Sequence, residues 1–174
     1  MKVYLIRHAQ AQHNVSGNTG HFDPEITELG RQQCAENKHR YRDVNMILTS
    51  TATRTLQTTS QLFTNISVHA TDLLLEYNTG ASCNQRHDLT YQALKFPTVD
   101  FDTYLVPKLD KEVTWQDGEA RAKKVIELLD KIKNNNIVLA IVSHANFIRN
   151  IITLLQGYQK EELENCQAYI VTIR

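Results

Sequence analysis

Three segments of the sequence each place arginine or histidine shortly after an apolar run. Arg7 and His8 follow VYLI, Arg54 comes after MILT, and His144 comes after IVLAIV. Guanidinium groups bind phosphate oxygens through paired hydrogen bonds, and a histidine ring can attack phosphorus with one nitrogen while a hydrogen bond holds the other. These residue types predict a site for a phosphate-like anion that contains a nucleophile. Such a site requires no metal ion, because the arginines and the second histidine offset the developing charge.

Each of these features has an ordinary structural explanation when it is taken alone. One histidine at the end of a strand is most often structural, and one arginine there is most often a solvated charge. The apolar runs, however, are typical of strands that are covered on both faces, as in a parallel sheet. In an open α/β sheet, ligands bind beyond the carboxyl ends of the strands, where helix N-termini add free N–H groups. We therefore expect the four side chains to meet at one edge of a sheet.

The elements that must position these residues are predicted from apolar patterns and helix caps. The patterns predict strands at 3–7, 46–49, 137–142 and 168–173, and a short strand at 66–70. They predict helices at 28–40 with Thr27 as N-cap, 53–64, 88–95, 118–134 with Asp117 as N-cap, and 146–156 before Gly157. The alternation of strands and helices indicates an α/β fold, a three-layer α/β/α sandwich with a mostly parallel central sheet.

The composition limits the classes of protein and partner. A length of 174 residues favours a single domain over 1–174, and 41% apolar with 22% charged residues is ordinary for a globular protein. The net charge of zero gives no reason to expect nucleic acid or a membrane as a partner. No apolar run is long enough to cross a bilayer. The three widely spaced cysteines indicate reduced thiols and a cytoplasmic location, while the oligomeric state is left open.

The segment 77–116 differs from the rest of the chain. It contains Gly80, Pro97 and Pro107, scattered aromatic residues and little periodicity. Segments of this kind usually shape a pocket. We therefore predict a loop-rich insertion that forms part of the substrate site.

The histidines outside the strand ends show no pattern of metal ligands. They are His13, His21, His39, His69 and His87. None has the spacing that a metal site requires. The sequence therefore predicts no metal ion and no other cofactor.

Six segments in chain order share a pattern with one known family. They are LIRHAQAQHN (5–14), TGHFDPEITELGRQQC (19–34), LTSTATRTLQTT (48–59), LLEYNTG (74–80), IVSHANFIRNII (141–152) and NCQAYIVTI (165–173). Together they resemble the motifs of the histidine phosphatase superfamily, also called the phosphoglycerate mutase-like family. The resemblance covers most of the chain and implies a phosphoglycerate mutase-like fold.

The resemblance also implies a role for each matching residue. His8 would be the nucleophile that becomes phosphohistidine, and Arg7, Arg54 and His144 would hold the phosphoryl oxygens. Glu76 would donate a proton to the leaving group and then take one from water, an alternation that suits a carboxyl group. Residues alone do not distinguish Glu76 from the other acids Glu25, Glu28, Asp88 and Glu119. The implied substrate contacts are Asn14, Thr19, Gly20, Ala145 and Asn146.

The sequence departs from the family pattern at several positions. Ala9 and Ala145 replace the glycines after the two histidines, and an added methyl group could narrow a phosphate site. We expect small alanines to be tolerated there. Thr51 replaces a proline, which removes no reacting group. Beyond Gly80 the sequence reads ASCNQRHD, in which Arg86 could contact substrate or be a solvated arginine.

The most direct function for this pattern is a metal-independent phosphatase that hydrolyses phosphomonoesters through phosphohistidine. Its partner would be a small phosphorylated substrate or a phosphopeptide. The short chain and the few basic residues in 77–116 favour hydrolysis over mutase action, since a mutase must hold a second phosphate and exclude water. Phosphoglycerate mutase-like phosphotransfer and a degenerate phosphate-binding or scaffold domain are the alternatives.

Overall fold

A six-stranded sheet forms the centre of the fold. The structure, a computed structural model, describes residues 1–77, 79–101, 117–157 and 163–174. Within these residues the strands are β1 (Lys2–Arg7), β2 (Met46–Ser50), β3 (Val68–Thr71), β4 (Val99–Asp100), β5 (Val138–Ser143) and β6 (Ala168–Thr172). The sheet order is β4-β3-β2-β5-β1-β6, and every neighbouring pair is parallel except β1 and β6. This confirms the mostly parallel sheet.

The register of the sheet places three strand ends side by side. Arg7, the last residue of β1, is paired with Ser143, the last residue of β5. On the other side of β5, Thr49 of β2 is paired with Val142. Because these strands are parallel and adjacent, the chain segments that follow them leave the sheet at one edge.

Six α-helices connect the strands in the described part of the chain. They are α1 (Gln12–Ser16), α2 (Glu28–Asn37), α3 (Thr53–Leu62), α4 (Leu89–Lys95), α5 (Gly118–Ile132) and α6 (Ala145–Gln156). Side chains cap three of them as their sequences suggest: Thr27 accepts from Gly30 N, Asp88 from Tyr91 N, and Asp117 from Ala120 N. Short 3-10 helices lie at Lys38–Tyr41, Asp72–Leu74 and Ser82–Asn84.

Alternate residues of the central strands bury their side chains on opposite faces of the sheet. Val3 and Leu5 pack into a cluster that includes the apolar stripes of α5 and α6, whereas Tyr4 and Ile6 pack into a second cluster with Cys34 of α2 and Leu62 of α3. Both faces are therefore covered by helices. The three-layer arrangement that the sequence predicted is confirmed.

The differences from the predicted elements have simple causes. The predicted helix 28–40 ends at Asn37, and the chain continues as the 3-10 helix Lys38–Tyr41. The helix α1 was not predicted, because it has no buried residue and hence no apolar stripe. The strand β4 contains two residues, too few for a pattern. Residues 78 and 102–116 of the predicted insertion lie outside the described residues.

No helix in the described ranges combines the length and apolar character needed to cross a membrane.

Candidate active site

Arg54 joins two histidines in a buried cluster at the carboxyl edge of the sheet. Its Nε donates to His8 Nε2 at 3.3 Å, and its Nη2 donates to His144 Nδ1 at 3.0 Å. The three residues are 1%, 3% and 0% exposed, respectively. His8 follows β1, His144 follows β5, and Arg54 lies in the first turn of α3, which follows β2. The adjacent strand ends therefore bring these three side chains together, as the sequence predicted.

The hydrogen-bond partners assign the proton on each ring. His8 Nδ1 lies 2.8 Å from the carbonyl oxygen of Ala9, which can only accept, so the proton is on Nδ1 and the lone pair is on Nε2. His144 Nδ1 accepts from Arg54, so its proton is on Nε2, 2.9 Å from Ser50 Oγ. The His8 nitrogen that faces the guanidinium is therefore the one able to attack phosphorus.

Burial and charge keep both rings neutral. Desolvation, followed by the positive charge of Arg54, holds the pKa of His8 and the pKa of His144 well below the ordinary histidine value. Burial also lowers the pKa of Arg54, while the negative charges of Asp23 and Glu76 oppose that effect. A guanidinium remains protonated under all these influences. The cluster thus combines a neutral imidazole that has a free lone pair with a fixed cation.

Arg7 lies at the same edge, at the end of β1. Its Nη1 donates to the carbonyl oxygen of Leu163 at 2.6 Å, which ties the side chain to the segment before β6. Its positive charge contributes to the lowered pKa of His8. The structure therefore places a second cation within electrostatic reach of the His8 ring.

Glu76 lies at the N-terminus of α6. Its carboxylate accepts hydrogen bonds from the backbone N–H groups of Tyr77 (3.0 Å), Asn146 (3.2 Å) and Phe147 (3.1 Å), and it is 8% exposed. The negative charge of Glu76 raises the pKa of Arg54. The structure therefore brings this carboxyl group close to the histidine cluster.

Arg121 holds the backbone that carries Glu76. It is fully buried in α5 and donates to the carbonyl oxygens of Leu73, Leu75 and Glu76 at 2.9, 2.6 and 3.2 Å. Sequence reasoning missed this residue. The available signal was its position within the buried stripe of α5, next to Ala122 and one turn before Val125.

Asp23 connects the loop before α2 to the start of α3 and to α4. It is 3% exposed and accepts from Thr53 N and Oγ1, both at 2.8 Å, from Gln92 Nε2 at 2.9 Å and from His87 N at 3.0 Å. These bonds fix the helix that carries Arg54. Asp23 has φ 42°, a left-handed conformation that aspartate tolerates better than most residues. It was also missed as a functional candidate.

Comparison with known proteins identifies the family of the chain. The family model of the histidine phosphatase superfamily (branch 1) matches residues 3–174. The chain belongs to this superfamily. It is 28% identical over 206 aligned residues to phosphoglycerate mutase-like protein 1 of Arabidopsis thaliana, and the match covers 89% of this chain and 72% of the relative.

Solved structures of two phosphatases share the fold. The alpha-ribazole phosphatase from Shigella flexneri matches with a TM-score of 0.71 and 21% identity, covering 100% of this chain and 91% of that one. Phosphoserine phosphatase from Entamoeba histolytica, solved with 3-phosphoglyceric acid, matches with a TM-score of 0.68 and 20% identity, covering 97% and 89%. The predicted phosphoglycerate mutase-like architecture is therefore confirmed.

The positions that the superfamily pattern implies as substrate contacts lie in the segments that follow β1 and β5. Asn14 Oδ1 accepts from Ala11 N, Thr19 O accepts from Cys83 N, Gly20 N donates to Asn18 Oδ1, and Asn146 N donates to Glu76. Ala145 is the first residue of α6. Apart from Ala145, which is partly buried, these residues are exposed. Their contact with substrate stays a prediction.

The two alanines that replace superfamily glycines need no special backbone conformation. Neither Ala9 nor Ala145 is among the described non-glycine residues with positive φ. The Ala9 N–H donates to Thr58 Oγ1 at 3.0 Å. An alanine at either position therefore causes no backbone strain, and glycine is not required there.

Arg86 directs its hydrogen bonds away from the histidine cluster. Its Nε and Nη2 form a paired salt bridge with Asp72 at 2.8 and 2.7 Å, and its Nη1 donates to His87 O. Thr51, which replaces the family proline, donates to the same Asp72 carboxylate. A role for Arg86 in substrate binding stays a prediction.

Proposed function

We propose that the protein is a metal-independent phosphomonoesterase that works through a phosphohistidine at His8. One observation carries the proposal: a buried, neutral His8 presents its unprotonated Nε2 to the guanidinium of Arg54, which also contacts His144. A nucleophile without a proton beside fixed donors is the arrangement that phosphoryl transfer requires. Superfamily membership supports the same chemistry.

The reaction would proceed in two displacements. First, His8 Nε2 attacks phosphorus, the bond from phosphorus to the ester oxygen breaks, and the Glu76 carboxyl group gives its proton to the leaving oxygen. Second, water attacks the phosphohistidine, Glu76 takes a proton from that water, and the phosphorus–nitrogen bond breaks to release inorganic phosphate. Arg7, Arg54 and His144 would bind the phosphoryl oxygens in both steps.

The charges of the described part of the insertion favour hydrolysis over mutase action. A mutase must bind a second phosphate, which requires cationic groups. Of the four basic residues in 77–116, Arg86 is paired with Asp72 and Lys95 with Glu25, while Lys108 and Lys111 lie outside the described residues. The Arabidopsis relatives named phosphoglycerate mutase-like make phosphotransfer the second candidate.

A small phosphomonoester is the substrate class that we propose. The solved structures with this fold include enzymes named for phosphoserine and alpha-ribazole phosphate chemistry, and one holds 3-phosphoglyceric acid. These are small molecules with one terminal phosphate. A panel of such compounds, with release of inorganic phosphate as readout, separates hydrolysis from isomer formation.

The decisive experiment uses 4-nitrophenyl phosphate at pH 6–7 with EDTA. We expect turnover that EDTA leaves unchanged, an acid-labile phosphoprotein on quenching, and a loss of about 10⁴-fold or more in His8→Ala. His39→Ala is the matched control, because His39 is exposed on the 3-10 helix after α2. Full activity in His8→Ala would remove His8 from the reaction. Phosphate binding without turnover would support the scaffold alternative.

A further inference from the structure

The described helix α1 carries a histidine that no motif assigned, beside the nucleophile proposed above. We infer that His13 is a further phosphate-binding residue, whose Nδ1–H donates to an oxygen of the transferred phosphoryl group. This inference rests on the proposed function of the site. Under this inference His13 is an uncharged hydrogen-bond donor beside the cationic donors Arg7 and Arg54.

The position of His13 carries the first part of the argument. Its ring centroid lies 5.8 Å from that of His8, with the two planes inclined by 45°. Burial, followed by the charges of Arg54 and Arg7, lowers the pKa of His13 to about 4. His13 in turn contributes to the lowered pKa of His8 and of His144. The charges of Arg54 and Arg7 that act on the His13 ring therefore also act on His8.

The amide of Asn14 fixes which nitrogen of His13 carries the proton. Asn14 Oδ1 accepts from the backbone N–H of Ala11 at 2.9 Å, so the amide orientation is set and its Nδ2 faces His13 Nε2 at 3.2 Å. An amide nitrogen only donates, so Nε2 is the acceptor. The neutral ring at pH 7 therefore holds its proton on Nδ1.

That Nδ1–H is buried without an acceptor. Within the residues that the structure describes, no hydrogen-bond partner lies within reach of this atom. A buried donor without a partner is unfavourable, and native sites rarely leave one unless it serves a ligand. A phosphoryl oxygen held between Arg7 and Arg54, both of which act on the His13 ring, is an acceptor for it. A charged oxygen also forms a stronger bond than a neutral one.

The test compares two variants by calorimetric titration with inorganic phosphate at pH 7. His13→Phe keeps a ring but removes the donor, and we expect the Kd of phosphate to rise by about tenfold to a hundredfold. His13→Asn places an amide N–H near the position of Nδ1, and we expect it to retain affinity within about threefold. His39→Phe, at an exposed position, should bind as the wild type does.

Binding of phosphate requires no turnover, so this experiment separates the inference from the proposed function. Loss of binding in His13→Phe with retention in His13→Asn supports the inference even if the wild type hydrolyses no ester tested. An unchanged Kd in His13→Phe would overturn it. A changed KM for an aryl ester with an unchanged phosphate Kd would also overturn it, because His13 would then contact the leaving group. Thermal melting of each variant checks that the fold is intact.

Discussion

His8 and His144 follow neighbouring parallel strands, yet they hold their protons on different nitrogens. Both rings are buried, and both have a pKa well below the ordinary histidine value. The partner of the His8 proton is a backbone carbonyl, which only accepts, whereas the partner of the His144 proton is the Ser50 hydroxyl, which accepts or donates. Burial alone therefore does not decide what each histidine can do.

In the proposed reaction, this difference would separate a nucleophile with a fixed tautomer from a donor whose tautomer can change. His8 keeps its lone pair on Nε2 because Ala9 O holds the proton on Nδ1. His144 Nδ1 accepts from Arg54, so its tautomer can reverse only when Arg54 turns to an incoming anion and the Ser50 hydroxyl turns from acceptor to donor. Its Nδ1 would then give a proton to a phosphoryl oxygen. In the proposed reaction, two imidazoles that both have a lowered pKa would thus perform two different tasks.

The largest effect that tests this contrast is expected from His144→Phe, which keeps a ring and removes both nitrogens. We expect kcat/KM to fall by about 10²–10³, the usual loss when one preorganised donor is removed. Because His8 is intact, the acid-labile phosphoprotein should still form, only more slowly. Rapid-quench labelling measures it, and thermal melting checks the fold. No labelling at all, in a folded protein, would mean that the two histidines are not separable in role.

A smaller effect is expected from Ser50→Ala, which leaves the His144 ring but removes the hydroxyl that lets its tautomer change. We expect kcat/KM for 4-nitrophenyl phosphate to fall by about threefold to tenfold, the usual effect of one neutral hydrogen bond. Ser60→Ala, at an exposed position of α3, is the matched control. Equal rates for wild type and Ser50→Ala would show that the adjustable partner has no catalytic importance.

The smallest effect concerns stability and pH. His8, His13 and His144 have a folded-state pKa below the unfolded value of about 6.5. Below pH 6.5 the unfolded chain therefore binds more protons than the folded protein does. The contribution of these histidines to the free energy of unfolding is constant above pH 6.5 and is lost as the pH falls below it. For His13 the loss extends down to about pH 4.

Urea denaturation of wild type and His13→Phe between pH 7.5 and 4.5 measures this contribution. We expect the free energy of unfolding of the variant to fall less steeply as the pH is lowered. The reason is that the variant lacks one of the three histidines that bind protons more readily in the unfolded chain than in the folded protein. Parallel curves for the two proteins would contradict a buried, neutral His13. The His8 and His144 side chains stay in place, so the difference between the two curves reports the loss of the His13 ring together with its effect on the pKa of the other two histidines.

The parts of the site that follow from strand topology could be predicted from the sequence. Arg7, His8, Arg54 and His144 come shortly after apolar runs, and parallel strands bring such positions to one edge. Assigning Glu76 required the family motif, because the residues alone do not select one acid among several. The structure then places it against α6.

Contacts between distant segments could not be predicted. Arg121 meets the backbone of Leu73, 48 residues away, and Asp23 meets Gln92, 69 residues away. No local pattern encodes such pairs. The same holds for the tautomers, since a ring's proton depends on which carbonyl, hydroxyl or amide the fold places beside it. His13 was overlooked because its significance rests on such neighbours.

The guanidinium of Arg54 has a consequence for product release. Its N–H groups bond to His8, His144 and the carbonyl oxygen of Cys83. An incoming anion must therefore replace hydrogen bonds that Arg54 already makes. This replacement lowers the net affinity of the site for the anion. In the proposed reaction, the two imidazoles would accept again from the same N–H groups when inorganic phosphate leaves. If the protein hydrolyses phosphomonoesters as proposed, we expect such a site to resist inhibition by inorganic phosphate.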